Sequence, residues 1–157
     1  MIYGSVCSGI EAATCAWHGL GWQPEFFAEI EPFPCAVLAA RFGASRPQFM
    51  PHPEDGDSAE DAAAKRAAIK AVSKLAVEGL VPNRGDFTTI QGDEYGSVDL
   101  LVGGTPCQDF SVAGKRAGMK GERSGLFHEA IRIVRELRPA LAVWENVPGA
   151  FSTNAGR

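Results

Sequence analysis

The sequence predicts an α/β fold in which a mainly parallel sheet is flanked by helices. Short apolar segments typical of strands alternate along the chain with longer segments of helical pattern. Apolar residues make up 45% of the 157 residues, which is enough for one buried core. Glycines and polar residues recur where the predicted strands end, and this edge is where parallel sheets bind ligands.

The first part of the chain contains two predicted strand–helix pairs. Pro32 and Pro34 lie near the start of the second helix, where proline is tolerated, and Gly43 fits its C-terminal end. The predicted strands cover residues 2–7 and 25–30, and the predicted helices cover residues 11–20 and 33–42.

The middle of the chain predicts a loop and a long polar helix. Residues 45–57 are rich in Pro, Asp and Gly, and residues 58–79 contain strong helix formers. Ser58 fits an N-cap with Asp61 three residues later, and Gly79 fits a C-terminal stop. The pattern is typical of a solvated surface helix, to which we assign no function.

The last part of the chain predicts further strands around a long loop and a helix. Leu126, Ala130 and Leu137 belong to an apolar stripe at helical spacing, and Pro139 ends that helix. The predicted elements are a weak strand at 85–90, a buried strand at 98–102, a Gly-rich loop at 103–125, a helix at 126–137 and a strand at 140–144.

The turn after the first predicted strand is a candidate ligand site. Ser8-Gly9 opens a helix, and such a turn brings backbone N–H groups close to a ligand. Glu29 follows Gly9 by 20 residues, near the spacing at which an acidic residue holds ribose hydroxyls. The sequence has no G-x-G-x-x-G pattern, so a nucleoside is favoured over a dinucleotide. The alternative is a tight turn with an exposed glutamate.

Cys107 is the candidate nucleophile. It follows Pro106 within the Gly-rich loop. Nearby cations favour the thiolate, which is the nucleophilic form. The alternative is a packed, unreactive thiol. The basic residues that follow in the loop are Lys115, Arg116, Lys120 and Arg123.

Glu145-Asn146 follows the apolar segment of the last predicted strand. A carboxylate at the end of a buried strand is costly unless it is paired or functional. Glu145 is therefore a second candidate site residue. The alternative is a carboxylate that caps a neighbouring helix.

Charge and cysteine spacing exclude several classes of protein. The net charge is −4, which disfavours tight DNA binding by this chain alone, but residues 114–138 have a local charge of +4. The four cysteines and three histidines show no zinc-binding spacing, so we expect no metal. No apolar segment has membrane-spanning length and no secretion signal is present, which predicts a cytoplasmic protein.

Several motifs resemble those of the cytosine-5 DNA methyltransferase family, in the family's order. Residues 104–111, Gly-Thr-Pro-Cys-Gln-Asp-Phe-Ser, resemble its Pro-Cys-Gln loop, and residues 145–147 resemble its Glu-Asn-Val signature. Residues 6–12, 29–31 and 85–86 resemble its cofactor motifs. The resemblance covers nearly the whole chain and is strongest to the phage or prophage type.

The resemblance implies a Rossmann-like fold of the S-adenosylmethionine-dependent methyltransferases, truncated after its fifth strand, with an insertion at about residues 46–80. It implies that Cys107 attacks C6 of a flipped cytosine, that Glu145 binds the N3 edge, and that S-adenosylmethionine methylates C5. The implied cofactor residues are Cys7, Ser8, Gly9, Ile10, Glu29, Ile30, Asp86, Phe87, Pro106 and Leu126. The implied DNA contacts are Gln108, Ser111, Lys115, Arg116, Arg123 and Asn146.

The sequence departs from the family at three points. The first motif reads Cys-Ser-Gly-Ile-Glu over residues 7–11, where the family has Phe-x-Gly-x-Gly, and Ile30 replaces an aromatic residue. The Gln-Arg-Arg motif and the target-recognition domain are expected beyond Arg157, which predicts that a second polypeptide supplies them. The alternatives are a module that only binds S-adenosylmethionine, an inert remnant, and an unrelated thiol enzyme using His128 as base.

Overall fold

The computed structural model describes residues 1–55, 58–92, 94–105 and 124–146. Within these residues, helices alternate with the strands of one parallel sheet. The strands are β1 (Ile2–Val6), β2 (Gln23–Ala28), β3 (Leu100–Gly103) and β4 (Leu141–Trp144). The helices are α1 (Ala12–Trp17), α2 (Pro32–Phe42), α3 (Ala59–Val72) and α4 (Ser124–Leu137). Single 3-10 turns form at His18–Leu20, Pro53–Asp55 and Phe87–Thr89.

The sheet order is β2-β1-β3-β4, and all three pairings are parallel. The sheet extends from β1 towards β2 on one side and towards β3 on the other. β1 and β3 therefore flank the point where the strand order reverses, the position at which such sheets bind ligands. The predicted α/β fold and the predicted pairing of the first strand with the strand leading to Gly103 are both confirmed.

Helices cover both faces of the β1–β2 part of the sheet. Tyr3 packs edge-on against Trp17 of α1, and Phe27 lies in a buried cluster with Leu38 of α2. On the opposite face, Phe26 joins a core cluster that includes Ile133 of α4. Side chains alternate between the two faces along a strand, so neighbouring phenylalanines 26 and 27 serve separate cores.

The predicted strand at residues 85–90 is wrong. Residues 87–89 form a 3-10 turn, so the sheet has four strands in the described residues rather than the expected five. Asn83 and Gly85 instead form isolated parallel bridges with Phe27 and Phe49. Gly85 has φ +80, and a Cβ there would lie 1.9 Å from the carbonyl oxygen of Phe49. The close approach leaves room for glycine only, and the segment cannot continue as a regular strand.

The predicted helix at residues 58–79 is shorter than expected. The Ser58 hydroxyl caps it by accepting from the Asp61 N–H at 3.1 Å, as predicted, but α3 ends at Val72. Gly79 lies in the following loop, where a Cβ would be 2.4 Å from the carbonyl oxygen of Gly43. Isolated backbone bridges join residue 44 to residue 81 and residue 49 to residue 85, so the segment that contains α3 begins and ends at neighbouring backbone positions. That residues 46–80 are an insertion stays a prediction.

β4 is the least covered strand of the sheet. Leu141 and Val143 are 53% and 48% exposed, although the sequence had indicated a buried strand. The strand pairs with β3 and has no further neighbour among the described residues. In the same part of the chain, no helix has the length and apolarity required to cross a membrane.

Candidate functional site

The carboxyl ends of the strands open onto a cavity of about 550 Å³. Ligand sites commonly have volumes of this size. The cavity lies beyond β1, β2 and β3, at the reversal of strand order. Its lining residues are Cys7, Ala28, Glu29, Ile30, Glu31, Pro51, Gly85, Asp86, Phe87, Thr88, Gly104, Thr105, Leu126 and Glu145.

Glu29 is held rigidly at the end of β2. One carboxylate oxygen accepts from the Gly9 N–H at 2.7 Å, and the other accepts from the N–H groups of Ile30 and Glu31, each at 2.8 Å. The residue is 8% exposed. These bonds tie the turn after β1 to the start of α2. A carboxylate has about four acceptor positions, so about one remains for a ligand.

Asn83 fixes the backbone on which Glu29 stands, and sequence analysis missed it. The residue is fully buried, and its side-chain oxygen accepts from the N–H groups of Glu29 and Gly85, each at 3.0 Å. It therefore joins the segment before Asp86 to the end of β2. The only signal in the sequence was a short Pro-Asn-Arg-Gly segment at residues 82–85, a composition that ordinarily indicates an exposed turn.

Asp86, Phe87 and Leu126 form a further part of the cavity wall. The Asp86 carboxylate accepts from the Thr88 N–H at 3.0 Å and from its hydroxyl at 2.7 Å. These bonds make Asp86 the N-cap of the 3-10 turn. Phe87 is 6% exposed, and Leu126 of α4 packs against the same core cluster. The wall thus combines one fixed carboxylate with an apolar surface.

Glu145 stands at the rim, where β4 ends beside β3. Its N–H donates to the Gly103 carbonyl oxygen at 2.9 Å. A Cβ on Gly104 would be 2.9 Å from the Glu145 carboxylate, so glycine allows that carboxylate to lie over the backbone. Glu145 is exposed, in contrast to the buried carboxylate that the sequence suggested, because β4 itself is exposed.

Two of the described cysteines, Cys7 and Cys35, lack the thiolate form that the candidate chemistry needs. Burial, reinforced by the nearby Glu29 carboxylate, raises the pKa of Cys7 and of Cys35 to about 12 each. Both thiols therefore stay protonated at neutral pH and are poor nucleophiles. Cys7 lines the cavity, but a thiol that stays protonated does not become a nucleophile through its position alone.

Several site candidates lie outside the described residues. These are Pro106, Cys107, Gln108, Ser111, Lys115, Arg116 and Arg123. Gly104 and Thr105, which directly precede Pro106-Cys107 in the sequence, line the cavity.

The cavity gathers most, but not all, of the candidate cofactor residues that are described. Cys7, Glu29, Ile30, Asp86, Phe87 and Leu126 line it. Ser8 instead links strands: its hydroxyl donates to the Ser5 carbonyl at 3.0 Å and accepts from the Ala28 N–H at 3.1 Å. Ile10 is 55% exposed and does not line the cavity, and neither does Asn146. Lining residues that sequence analysis missed include Pro51, from the loop before α3, and Thr88, from the 3-10 turn between α3 and β3.

Comparisons with known proteins define the class. The fold resembles a crystal structure described as a DNA modification methyltransferase encoded within an E. coli prophage, with a TM-score of 0.58 and 18% identity over 99% of this chain and 38% of that one. Residues 76–157 match the family of C-5 cytosine-specific DNA methylases. That match covers half of the chain, and the chain belongs to this family.

Individual relatives are bacterial and phage proteins. The chain is 39% identical over 98% of its length to the DNA N-6-adenine-methyltransferase of Escherichia phage P1, covering 17% of that protein. It is 35% identical over 62% of its length to the type II methyltransferase M.Eco47II of Escherichia coli, covering 25% of it. It is 49% identical over 41% of its length to M.NgoMIV of Neisseria gonorrhoeae, covering 20% of it. The chain thus spans about a quarter or less of these curated relatives.

Proposed function

We propose that this chain is the cofactor-binding and nucleophile-bearing part of a DNA (cytosine-5)-methyltransferase. The observation that carries the proposal is the cavity of about 550 Å³ at the reversal of strand order, which has Glu29 and Asp86 on its walls and Glu145 at its rim. Gly104 and Thr105, which lead into Cys107, line the same cavity. Four parts of the sequence that resemble separate family motifs therefore meet at one place.

The cavity fits S-adenosylmethionine. The fixed Glu29 carboxylate retains about one acceptor position for a ribose hydroxyl. Phe87, Ile30 and Leu126 offer an apolar surface for adenine. Asp86 lies beside that surface, where a carboxylate can accept from an exocyclic amine. When bound, the cofactor supplies an electrophilic methyl group.

Cys107 would activate the cytosine. C5 of cytosine is a weak nucleophile, and attack of the Cys107 thiolate on C6 makes C5 enamine-like. After C5 takes the methyl group, loss of the C5 proton expels the thiolate and restores the 5,6 double bond. The base must leave the helical stack to enter such a cavity, so DNA is expected to bind with its target flipped out.

Glu145 would hold the target base. Attack at C6 builds negative charge at N3, and a protonated carboxyl at the N3 edge relieves that charge. The exposed position of Glu145 at the cavity rim leaves its carboxylate accessible to a base. Asn146, next in sequence, is proposed to act beside it.

We further propose that the rest of the enzyme covers β4. The exposed apolar side chains of Leu141 and Val143 form a surface suited to burial against another part of the protein. The covering part would carry the recognition surface for bases, on the same longer chain or on a second polypeptide. The chain of 157 residues alone is then expected to bind the cofactor weakly and to leave duplex DNA unmethylated.

A second candidate activity is methylation of adenine at N6. The name of the phage P1 relative favours it, although the match covers only 17% of that protein. An exocyclic amine can take a methyl group without covalent activation, so Cys107 would then be dispensable. Hydrolysis of the methylated DNA and identification of 5-methylcytosine or N6-methyladenine separate the two activities.

The test is covalent trapping on DNA that contains 5-fluorocytosine at the target. Fluorine blocks the proton loss that releases the thiolate, so the adduct with Cys107 should persist on a denaturing gel. Cys107→Ser should abolish the adduct, while Cys7→Ser should leave it intact because that thiol stays protonated. The assay uses the chain together with the C-terminal portion of a relative.

An adduct that maps by peptide mass spectrometry to Cys7, Cys15 or Cys35 would contradict the assignment. Complete methylation by Cys107→Ser would overturn the covalent mechanism itself.

A further inference from the structure

Glu11 has the properties of a functional carboxylate that the proposed mechanism leaves unused. It is 1% exposed, and its backbone has φ +65, a left-handed conformation that favours glycine. Cys7 and Gly9 in the same turn also have positive φ, at 49 and 55. A residue other than glycine is thus kept at a costly position beside the cofactor cavity.

The Glu11 carboxylate has only neutral partners among the described residues. One oxygen accepts from the Ser5 hydroxyl at 2.7 Å, and the other accepts from the N–H and hydroxyl of Thr14, both at 3.1 Å. No ion pair to Glu11 occurs in this part of the chain. Burial raises its pKa, since no cation offsets the loss of hydration.

A purely structural role would not require this charge. Glutamine has nearly the same shape and could cap Thr14 through its carbonyl oxygen without placing a charge in the interior. Buried charges are ordinarily paired, because an unpaired one costs several kcal/mol. No described residue supplies a counter-charge to Glu11, and a cationic ligand in the adjoining cavity would supply one.

Glu11 borders a second, smaller cavity that adjoins the cofactor cavity. This cavity has a volume of about 260 Å³ and lies between the ends of β1 and β3 and the start of α1. Cys7, Gly104 and Glu145 line both cavities. Among the described residues, the lining of the smaller cavity includes Glu11 and Glu145 and no Lys, Arg or His.

We propose that Glu11 is a specificity-determining residue whose negative charge favours the sulfonium form of the cofactor over its uncharged thioether product. The inference rests on the proposed function. With ribose at Glu29 and the methyl group directed towards Glu145, the sulfur would lie at the junction of the two cavities, which share Cys7, Gly104 and Glu145. A buried carboxylate beside that junction would stabilise a cation there, because the low dielectric of the protein interior screens the attraction between opposite charges less than water does.

The experiment measures binding of S-adenosylmethionine and S-adenosylhomocysteine by titration calorimetry to the full chain and to Glu11→Gln. The substitution should weaken binding of the sulfonium by about tenfold and of the thioether by less than about twofold, as expected for loss of one nearby charge. Glu54→Gln, whose side chain is 90% exposed, is the matched control and should change neither affinity.

The outcomes separate the inference from the function on which it rests. An equal loss for both ligands, or no loss for either, overturns the role of Glu11 and leaves the proposed function standing. Failure of the wild-type chain to bind either ligand when the C-terminal portion of a relative is also supplied overturns both.

Thermal unfolding distinguishes charge from structure. Because the folded state raises the pKa of Glu11 above its usual 4.5, the charge costs stability at neutral pH, and that cost vanishes as the pH falls below 4.5. Glu11→Gln should therefore melt at a higher temperature than the wild type at pH 7, with the difference shrinking towards pH 4. A lower melting temperature at pH 7 would assign Glu11 a structural role and overturn the inference.

Discussion

The two sides of the cavity are built differently. On the β2 side, Glu29 accepts three backbone N–H groups and stands on the fully buried Asn83. On the β4 side, Glu145 is exposed and follows a strand whose Leu141 and Val143 are about half exposed. One side is fixed by contacts within the described chain, whereas the other presents its candidate site residue, Glu145, after an uncovered strand.

The difference matches the two tasks of the proposed enzyme. A cofactor site needs preorganised hydrogen-bonding groups, and the β1–β2 side has them. A site that admits a flipped base from DNA must open, and the β3–β4 side is open. We infer that cofactor binding depends mainly on the β1–β2 side, and that chemistry depends on whatever covers β4.

The largest expected effect is on the stability of the β1–β2 side. Phe26 is fully buried in the core cluster between β2 and α4, so Phe26→Ala should lower the free energy of unfolding by about 3–5 kcal/mol. Urea unfolding followed by circular dichroism measures it. Phe33→Ala is the matched control, since Phe33 is 72% exposed, and should cost less than about 0.5 kcal/mol. Similar losses of unfolding free energy in the two variants would contradict the assignment of the β1–β2 side as the tightly packed side of the cavity.

The next effect is on the cofactor. Glu29→Ala should weaken S-adenosylmethionine binding by about 1.5–3 kcal/mol, because it removes a charged acceptor from the ribose and frees the turn at Gly9. Calorimetry measures it. Glu31→Ala is the control, since Glu31 lines the same cavity but is exposed. If Glu29→Ala binds the cofactor as tightly as the wild type, the ribose assignment is wrong.

The ends of the elements were predicted as closely on the β3–β4 side as on the β1–β2 side, since β3, α4 and β4 also lie within two residues of their predicted ranges. Strand–helix alternation placed β1, β2 and α2 within two residues of their observed ends, because apolar periodicity reflects which face is buried. The N-cap at Ser58 and the stop at Gly43 were predicted from local backbone chemistry and are observed. Such signals are local, and short segments of sequence contain them.

Long-range packing set what the sequence could not predict. Residues 85–90 have a strand-like composition, but the contact of Gly85 with Phe49 prevents a regular strand. Gly79 looks like a helix stop, yet it serves as a contact point for the backbone near Gly43. Asn83 looks like a turn residue, and only the fold shows that it supports Glu29.

The candidate site was recovered unevenly for the same reason. The rule that ligands bind at the carboxyl edge of a parallel sheet located Glu29, Asp86 and Glu145 correctly at one cavity. The environment of Glu145 was misjudged, because an apolar strand was taken to be a buried one. Exposure of an apolar strand depends on what covers it, which the strand's own residues do not encode.

The smallest expected effect, and the sharpest test of the open side, is at Val143. The side chain is 48% exposed, so Val143→Ser should change the free energy of unfolding of the chain alone by no more than about 0.5 kcal/mol. If the rest of the enzyme covers β4, the same substitution places a hydroxyl in a buried apolar contact once that portion is supplied. It should then weaken association and lower DNA methylation, because a buried hydroxyl without a partner costs about 1–3 kcal/mol.

Titration of the chain with the C-terminal portion of a relative, read by labelled methyl transfer, measures the effect. Val77→Ser, at 64% exposure in the loop after α3, is the control and should leave association unchanged. Equal behaviour of the two variants would show that β4 stays exposed in the working enzyme and that its apolar face has no partner in the reaction.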